Sequence, residues 1–173
     1  MEIELDQPLS PPWWRILLIG RRPKRTLARI LILVSVCFVV FKFVLLPIRI
    51  EGISMLPTYR DRRIDFVNCA AYLFHEPRRG DVVAIPFAGR HTMLMKRIVA
   101  LPEETMAFHR GRLIINGKVQ PEPYVKLGCD WEMPPIKLGA NEYYVVGDNR
   151  SMPQQYHEQR VSKRSQIVGK VLL

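Results

Sequence analysis

The residues from Leu27 to Leu46 constrain this chain more than any others. Charge breaks this stretch only at Arg29 and Lys42, close to its two ends. At about 1.5 Å per residue, a helix of this length reaches roughly 30 Å, the thickness of a bilayer's hydrocarbon core. Both charges lie near enough to the ends for their long side chains to reach the headgroups. Ile30 to Phe41 has no polar face, which fits lipid better than an amphipathic helix packed on a soluble core. Pro47-Ile48-Arg49-Ile50 offers no small-x-small site at which the segment would be removed, so residues 26–47 are expected to remain as one transmembrane helix.

The flanking charges give the direction of crossing. Arg15, Arg21, Arg22, Lys24, Arg25 and Arg29 precede or open the span, whereas only Arg49, Arg60 and Arg62 follow closely. The positive side stays inside, which predicts a single-pass protein of the cell inner or plasma membrane with a cytoplasmic N-terminus. Residues 1–25 form the cytoplasmic segment, where Trp13-Trp14 and their basic neighbours suit the inner headgroup surface. The lipid bilayer is the first partner, and residues 48–173 are extracytoplasmic.

Of the 173 residues, those beyond the span suffice for one small domain. The formal charge of +10 is scattered and accompanies no nucleic-acid-binding module, so no nucleic acid partner is expected. Cys37, Cys69 and Cys129 are far apart and in no metal or redox spacing. Cys69 and Cys129 read as buried free thiols, with a pairing between them left open by an oxidising compartment. His75, His91, His109 and His157 are dispersed, in no metal or triad spacing, and read as surface or loop residues.

After the span the pattern changes to short β-prone runs. These are Ile48 to Ile53, Ile64 to Cys69, Asp81 to Pro86, Thr92 to Ala100, Thr105 to Phe108, Arg112 to Ile115, Glu142 to Val146 and Ile167 to Leu172. Asn116-Gly117 predicts a primed hairpin turn into Lys118 to Gln120. Pro121 to Pro135, with its prolines and weak periodicity, reads as a loop or reduced insertion. The expected fold class is mainly β: an N-terminal transmembrane helix followed by an antiparallel β domain.

Two segments carry candidate chemistry. In Ile50-Glu51-Gly52-Ile53-Ser54-Met55-Leu56-Pro57-Thr58-Tyr59 a serine follows an extended run, although a lone serine there is most often structural. In Met93-Leu94-Met95-Lys96-Arg97-Ile98-Val99 a lysine interrupts an apolar strand, and alternation puts Leu94 and Ile98 on its face. That face is expected to be buried. A lysine with an ordinary pKa near 10.4 is almost wholly charged at neutral pH, and desolvation is the force that frees its amine to act as a base. A buried lysine can thereby activate a serine without histidine.

Gly52-x-Ser54-Met55-x-Pro57-Thr58 resembles the nucleophile box of the type I signal peptidase family. The likeness continues in order: Arg79-Gly80-Asp81-Val82-Val83, then Lys96-Arg97-Ile98-Val99-x-Leu101-Pro102, then Ile115-Asn116-Gly117-Lys118, then Gly147-Asp148-Asn149-Arg150, and last the strand Ile167-Val168-Gly169-Lys170-Val171. The resemblance implies a serine endopeptidase whose β catalytic domain cleaves signal peptides from exported preproteins after a small-x-small motif, without metal or cofactor. Ser54 would be the nucleophile and Lys96 the general base. Ile50, Gly52, Met55, Tyr59, Leu94 and Met95 would meet the substrate, which would add as a strand between the two segments. For the apolar members of this set, ordinary core packing is the alternative. Arg97 and Asp148 would pair to brace the site, the alternative for Asp148 being a plain turn residue.

The chain departs from the family in its last box, where Pro153 and Gln155 stand in place of a serine that orients the lysine and an aspartate that stiffens the loop. Ser151 and Tyr156 are the candidate substitutes. Ala100 and Glu103-Glu104 also differ from the usual residues, altering a turn more than the chemistry. A weakly active or inactive relative serving as an assembly factor, and a processing protease dedicated to one substrate, are the readings that compete with a general signal peptidase.

Overall fold

The computed structural model describes residues 23–88, 92–156 and 161–172. The basic and tryptophan-bearing segment at residues 1–22, His91 and His157 lie outside them. A helix, α1 (Pro23–Val39), runs into a π-helical turn at Val40–Val44. Together Lys24–Val44 form a helix of 21 residues with a mean hydropathy of 2.5, long and apolar enough to cross a membrane. None of it is buried by protein, and Ile32, Leu33 and Phe38 are exposed like their neighbours. The chain divides into two units at residue 40, so Phe41–Val44 fold with the β domain.

Eleven strands follow among the described residues. They are β1 (Leu45–Arg49), β2 (Ile64–Asn68), β3 (Val82–Ala88), β4 (Thr92–Ala100), β5 (Thr105–His109), β6 (Arg112–Ile115), β7 (Lys118–Val119), β8 (Met133–Lys137), β9 (Glu142–Val146), β10 (Val161–Lys163) and β11 (Gly169–Val171). Seven form one antiparallel sheet in the order β1-β2-β11-β3-β4-β9-β10, and four form a second in the order β7-β6-β5-β8. The mainly antiparallel β class is therefore as the alternating runs dictate.

The boundaries differ at the membrane end. Residues 45–47, which read as the end of the span, belong to β1, where Leu45 pairs with Asn68 and Pro47 with Phe66. Hydropathy cannot tell a lipid-facing leucine from one about to enter a sheet; the backbone hydrogen bonds of β2 make the choice here. The predicted strand at residues 48–53 accordingly moves back, and Gly52 instead takes a φ of +104° in the turn that follows.

Side-chain alternation distributes the core. From β3, Val82 and Ala84 join Ile50, Met55, Tyr59, Val67 and Met95 in one cluster, while Val83 and Ile85 join Tyr72, Ile98 and Val145 in another on the opposite face. A third cluster, containing Val99, Met106, Phe108, Trp131 and Tyr144, fills the space beside the small sheet. Asn116 and Gly117 have φ of +49° and +78° between Ile115 and its partner Lys118, as a two-residue primed turn requires. Cys37, Cys69 and Cys129 are free thiols, the last two half-buried.

Candidate active site

Ser54 lies in the turns between β1 and β2, half-buried on the rim of a groove. Ile48, Ile50, Gly52, Met55, Met93, Leu94 and Met95 share that groove. Five of the six residues named from sequence as substrate contacts thus line one cleft with the serine. Tyr59 does not. It is 4% exposed and packs beneath the groove with Met55 and Met95. Burial pushes its phenol up to about 12 against the opposing pull of Arg97, and its hydroxyl has no hydrogen-bond partner among the described residues.

Lys96 follows Met95 on β4 and is 3% exposed. Its register partner on β3 is Val83, and both Val83 and its face neighbour Ile98 are fully buried. The ladder between β4 and β9 begins at Arg97, so the Met93–Lys96 half of β4 is paired by β3 on one side and not by β9 on the other. β1 is an edge strand of the same sheet. Among the described residues, two stretches of backbone without a strand partner therefore border the groove, the arrangement into which an extended peptide can be added.

The turn after β9 holds the serine segment to β4. Asn149 donates its backbone N–H to the Ser54 carbonyl at 3.0 Å and its side-chain Nδ2 to the Ile53 carbonyl at 3.0 Å. Next to it, the fully buried Asp148 accepts Nε of Arg97 at 2.8 Å on one oxygen, and both Nη2 of Arg97 and the Thr58 hydroxyl at 2.6 Å on the other. Arg97 also donates Nη1 to the Gly80 carbonyl at 2.7 Å and stacks over the Tyr124 ring at 4.2 Å. Burial works against the guanidinium charge, yet the Asp148 hydrogen bonds and field outweigh it and hold the Arg97 pKa above its ordinary value. Asp148 is thus no plain turn aspartate.

Ser151 donates to Oδ1 of Asn149 at 2.6 Å and so steadies the residue that grips the serine segment. Tyr156 is exposed in a short 3-10 turn beyond it. Sequence reading missed Thr58 and Asn149 as bracing groups, although both stand in its motifs, because nothing in spacing alone shows which carbonyl a side chain will reach. It also missed Glu122 and Tyr124. Glu122 accepts two hydrogen bonds from the buried Arg150 and one from the Tyr124 hydroxyl, which fastens the segment once read as a loop between Arg97 and Arg150. Among the described residues, no three His, Cys, Asp or Glu side chains are grouped to hold a metal ion.

The family model described as "Signal peptidase, peptidase S26" matches residues 24–173. Signal peptidase I S of Bacillus subtilis (strain 168) is 34% identical over 132 residues, covering 70% of this chain and 71% of the relative. A signal peptidase I of Bacillus amyloliquefaciens is 34% identical over 131 residues, 70% and 68% of the two chains. A crystal structure of a signal peptidase I from Enterococcus faecalis is 22% identical, covers 56% of this chain and 97% of that one, and gives a TM-score of 0.45. A match over residues 24–173, on a chain with this order of motifs, shows that the protein belongs to the signal peptidase family, peptidase S26.

Proposed function

We propose that the protein is a membrane-bound serine endopeptidase that removes signal peptides from exported preproteins through a Ser54–Lys96 dyad. The observation that carries this reading is the groove: Ser54 stands on its rim, the unpaired half of β4 forms its wall, and buried Lys96 ends that half. The helix at Lys24–Val44 crosses the bilayer with its N-terminus in the cytoplasm, so that the β domain works on the far side, where signal peptides emerge.

Ser54 Oγ attacks the scissile carbonyl as the neutral Lys96 amine takes its proton. The resulting oxyanion is held by backbone N–H groups, that of Ser54 included, because Gly52 supplies no hydroxyl; one such preorganised donor contributes about 3 kcal/mol. Collapse breaks the C–N bond, and Lys96 returns its proton to the departing amine. Water then attacks the acyl-serine with the same lysine as base, and Ser54 recovers its proton. Small side chains before the cleaved bond fit between Ile50, Met55, Leu94 and Met95 as the peptide aligns along β4.

The test is cleavage of a preprotein carrying an Ala-x-Ala site by the detergent-solubilised full chain, beside Ser54→Ala and Lys96→Ala. Cleavage at that site by the wild type, lost in both variants, is the expected result. A folded wild type that cleaves none of a panel of preproteins overturns the proposal.

A further inference from the structure

Asp61 is the lone acid in the run Arg60-Asp61-Arg62-Arg63. A carboxylate so placed would ordinarily serve the charges beside it, yet its ion pair with Arg62 is loose, at 3.8 Å. Its other oxygen accepts the Gly52 N–H at 2.8 Å, from nine residues back along the chain. The bond spans the turns between β1 and β2, on which Ser54 stands.

The backbone bends to make that bond. The Ile50 N–H donates to the Arg63 carbonyl at 2.8 Å, while the Ile50 carbonyl accepts the Arg62 N–H at 2.9 Å, so one residue after β1 faces two before β2. Arg62 takes a φ of +63°, a left-handed conformation rare for so large a side chain. Strain of this kind persists only where surrounding bonds hold it, and what it brings into reach is the carboxylate one residue earlier.

From Gly52 to Ser54 the backbone is pinned at both ends. Asp61 takes the Gly52 N–H, the Ile53 carbonyl accepts Asn149 Nδ2 at 3.0 Å, and the Ser54 carbonyl accepts the Asn149 N–H at 3.0 Å. Among the described residues, the N–H groups of Ile53 and Ser54 have no acceptor. The Ile53 carbonyl and the Ser54 N–H share one rigid peptide plane and point opposite ways, so gripping the first aims the second. Upstream of that plane stands Gly52, with a φ of +104° and the widest rotational freedom of any residue type. The bond to Asp61 holds the near side of that pivot.

We propose that Asp61 is a positioning residue for the reaction: by holding the Gly52 N–H it locks the glycine pivot and keeps the Ser54 N–H directed at the forming oxyanion. The proposal rests on the reading of Ser54 as nucleophile and deepens it. Asp61 acts through Gly52, not on the substrate. Because Gly52 offers no hydroxyl, the direction of backbone donors is what this turn contributes to the transition state.

The test compares wild type, Asp61→Ala and Asp61→Asn in the detergent-solubilised full chain, cleaving a preprotein with an Ala-x-Ala site. Rates are expressed per folded molecule from melting curves; the Asp61 side chain is 40% exposed, so neither variant opens the core. Asp61→Ala is expected to lower kcat about tenfold with KM little changed, short of the hundredfold or so lost when an oxyanion donor is removed outright. Asp61→Asn keeps an acceptor oxygen, and its kcat is expected to return to within about threefold of wild type. An unchanged kcat in Asp61→Ala, a change in KM alone, or an asparagine variant as slow as the alanine one overturns the inference while leaving the serine's role intact. A folded wild type that cleaves no preprotein removes that role and the inference together.

Discussion

Arg97 and Arg150 use the same device to different ends. Each is buried, each is gripped by a carboxylate through two nitrogens, and each pair draws one member from the turn after β9. The Arg97 pair is wired to the candidate site, because Asp148 also accepts the Thr58 hydroxyl from the serine segment. The Arg150 pair is wired to the small sheet's core, with its guanidinium 5.3 Å from the Phe108 ring and 5.7 Å from that of Trp131. Buried pairs bring little net stability over apolar packing, but removing one partner strands a charge. What they secure is position: one fixes where the serine segment meets β4, the other where a second layer meets the first.

Removing the two carboxylates in turn is the sharpest way to break this comparison. Asp148→Ala and Glu122→Ala are each expected to cost about 3–5 kcal/mol in denaturant unfolding, since each leaves a buried guanidinium unpaired. Activity per folded molecule separates them. Cleavage by Asp148→Ala falls about a hundredfold, as expected for displacement of a reacting group by about 1 Å, whereas Glu122→Ala stays close to wild type. Equal losses of turnover in the two variants would erase the distinction between the pairs.

Asn149→Ala gives a smaller effect on the same side of the comparison. It removes the bond to the Ile53 carbonyl but keeps the backbone bond to Ser54, so stability should drop by about 1 kcal/mol. The loss should appear more in turnover per folded molecule than in melting temperature, with kcat reduced and KM little changed. A fall in melting temperature alone would make Asn149 a structural residue only.

Asp81 provides the mildest test, on the face away from the groove. Burial alone would push its carboxyl up, but hydrogen bonds from Lys170, the Arg78 N–H and Tyr72 outweigh that and hold it below its ordinary value of 3.8. A carboxylate depressed in the folded state stabilises fully above its unfolded pKa, and that contribution is lost as pH falls through the folded one. Asp81→Asn should therefore melt below wild type at neutral pH, with the gap closing as the solution is acidified past the ordinary carboxylate range. A gap that stays constant as the pH is taken well below that range would show that Asp81 acts through shape and not charge.

Most strands were legible because their alternation is strong and both neighbours are present. β4 appears over the residues predicted, and β5, β6 and β9 fall within one residue of expectation. The two strands that were missed, β8 and β10, are both sheet edges. β8 carries Pro134 and Pro135, which argue against a strand in sequence but are tolerated where one side needs no ladder. β10 has three residues, too few for a period to show. At the site, the serine and lysine segments stood out because each breaks an apolar pattern. The braces at Thr58, Glu122, Tyr124 and Asn149 did not, since their partners lie up to 96 residues away along the chain.

The helix passes into β1 without a linker: Val44 closes the one and Leu45 opens the other. Only four residues later Ile48 is already a wall of the groove, a contour of about 14 Å. A tether with no slack behaves as a ruler. On the proposed function, the length of chain between the lipid and the groove is then set by covalent geometry and not by a flexible linker.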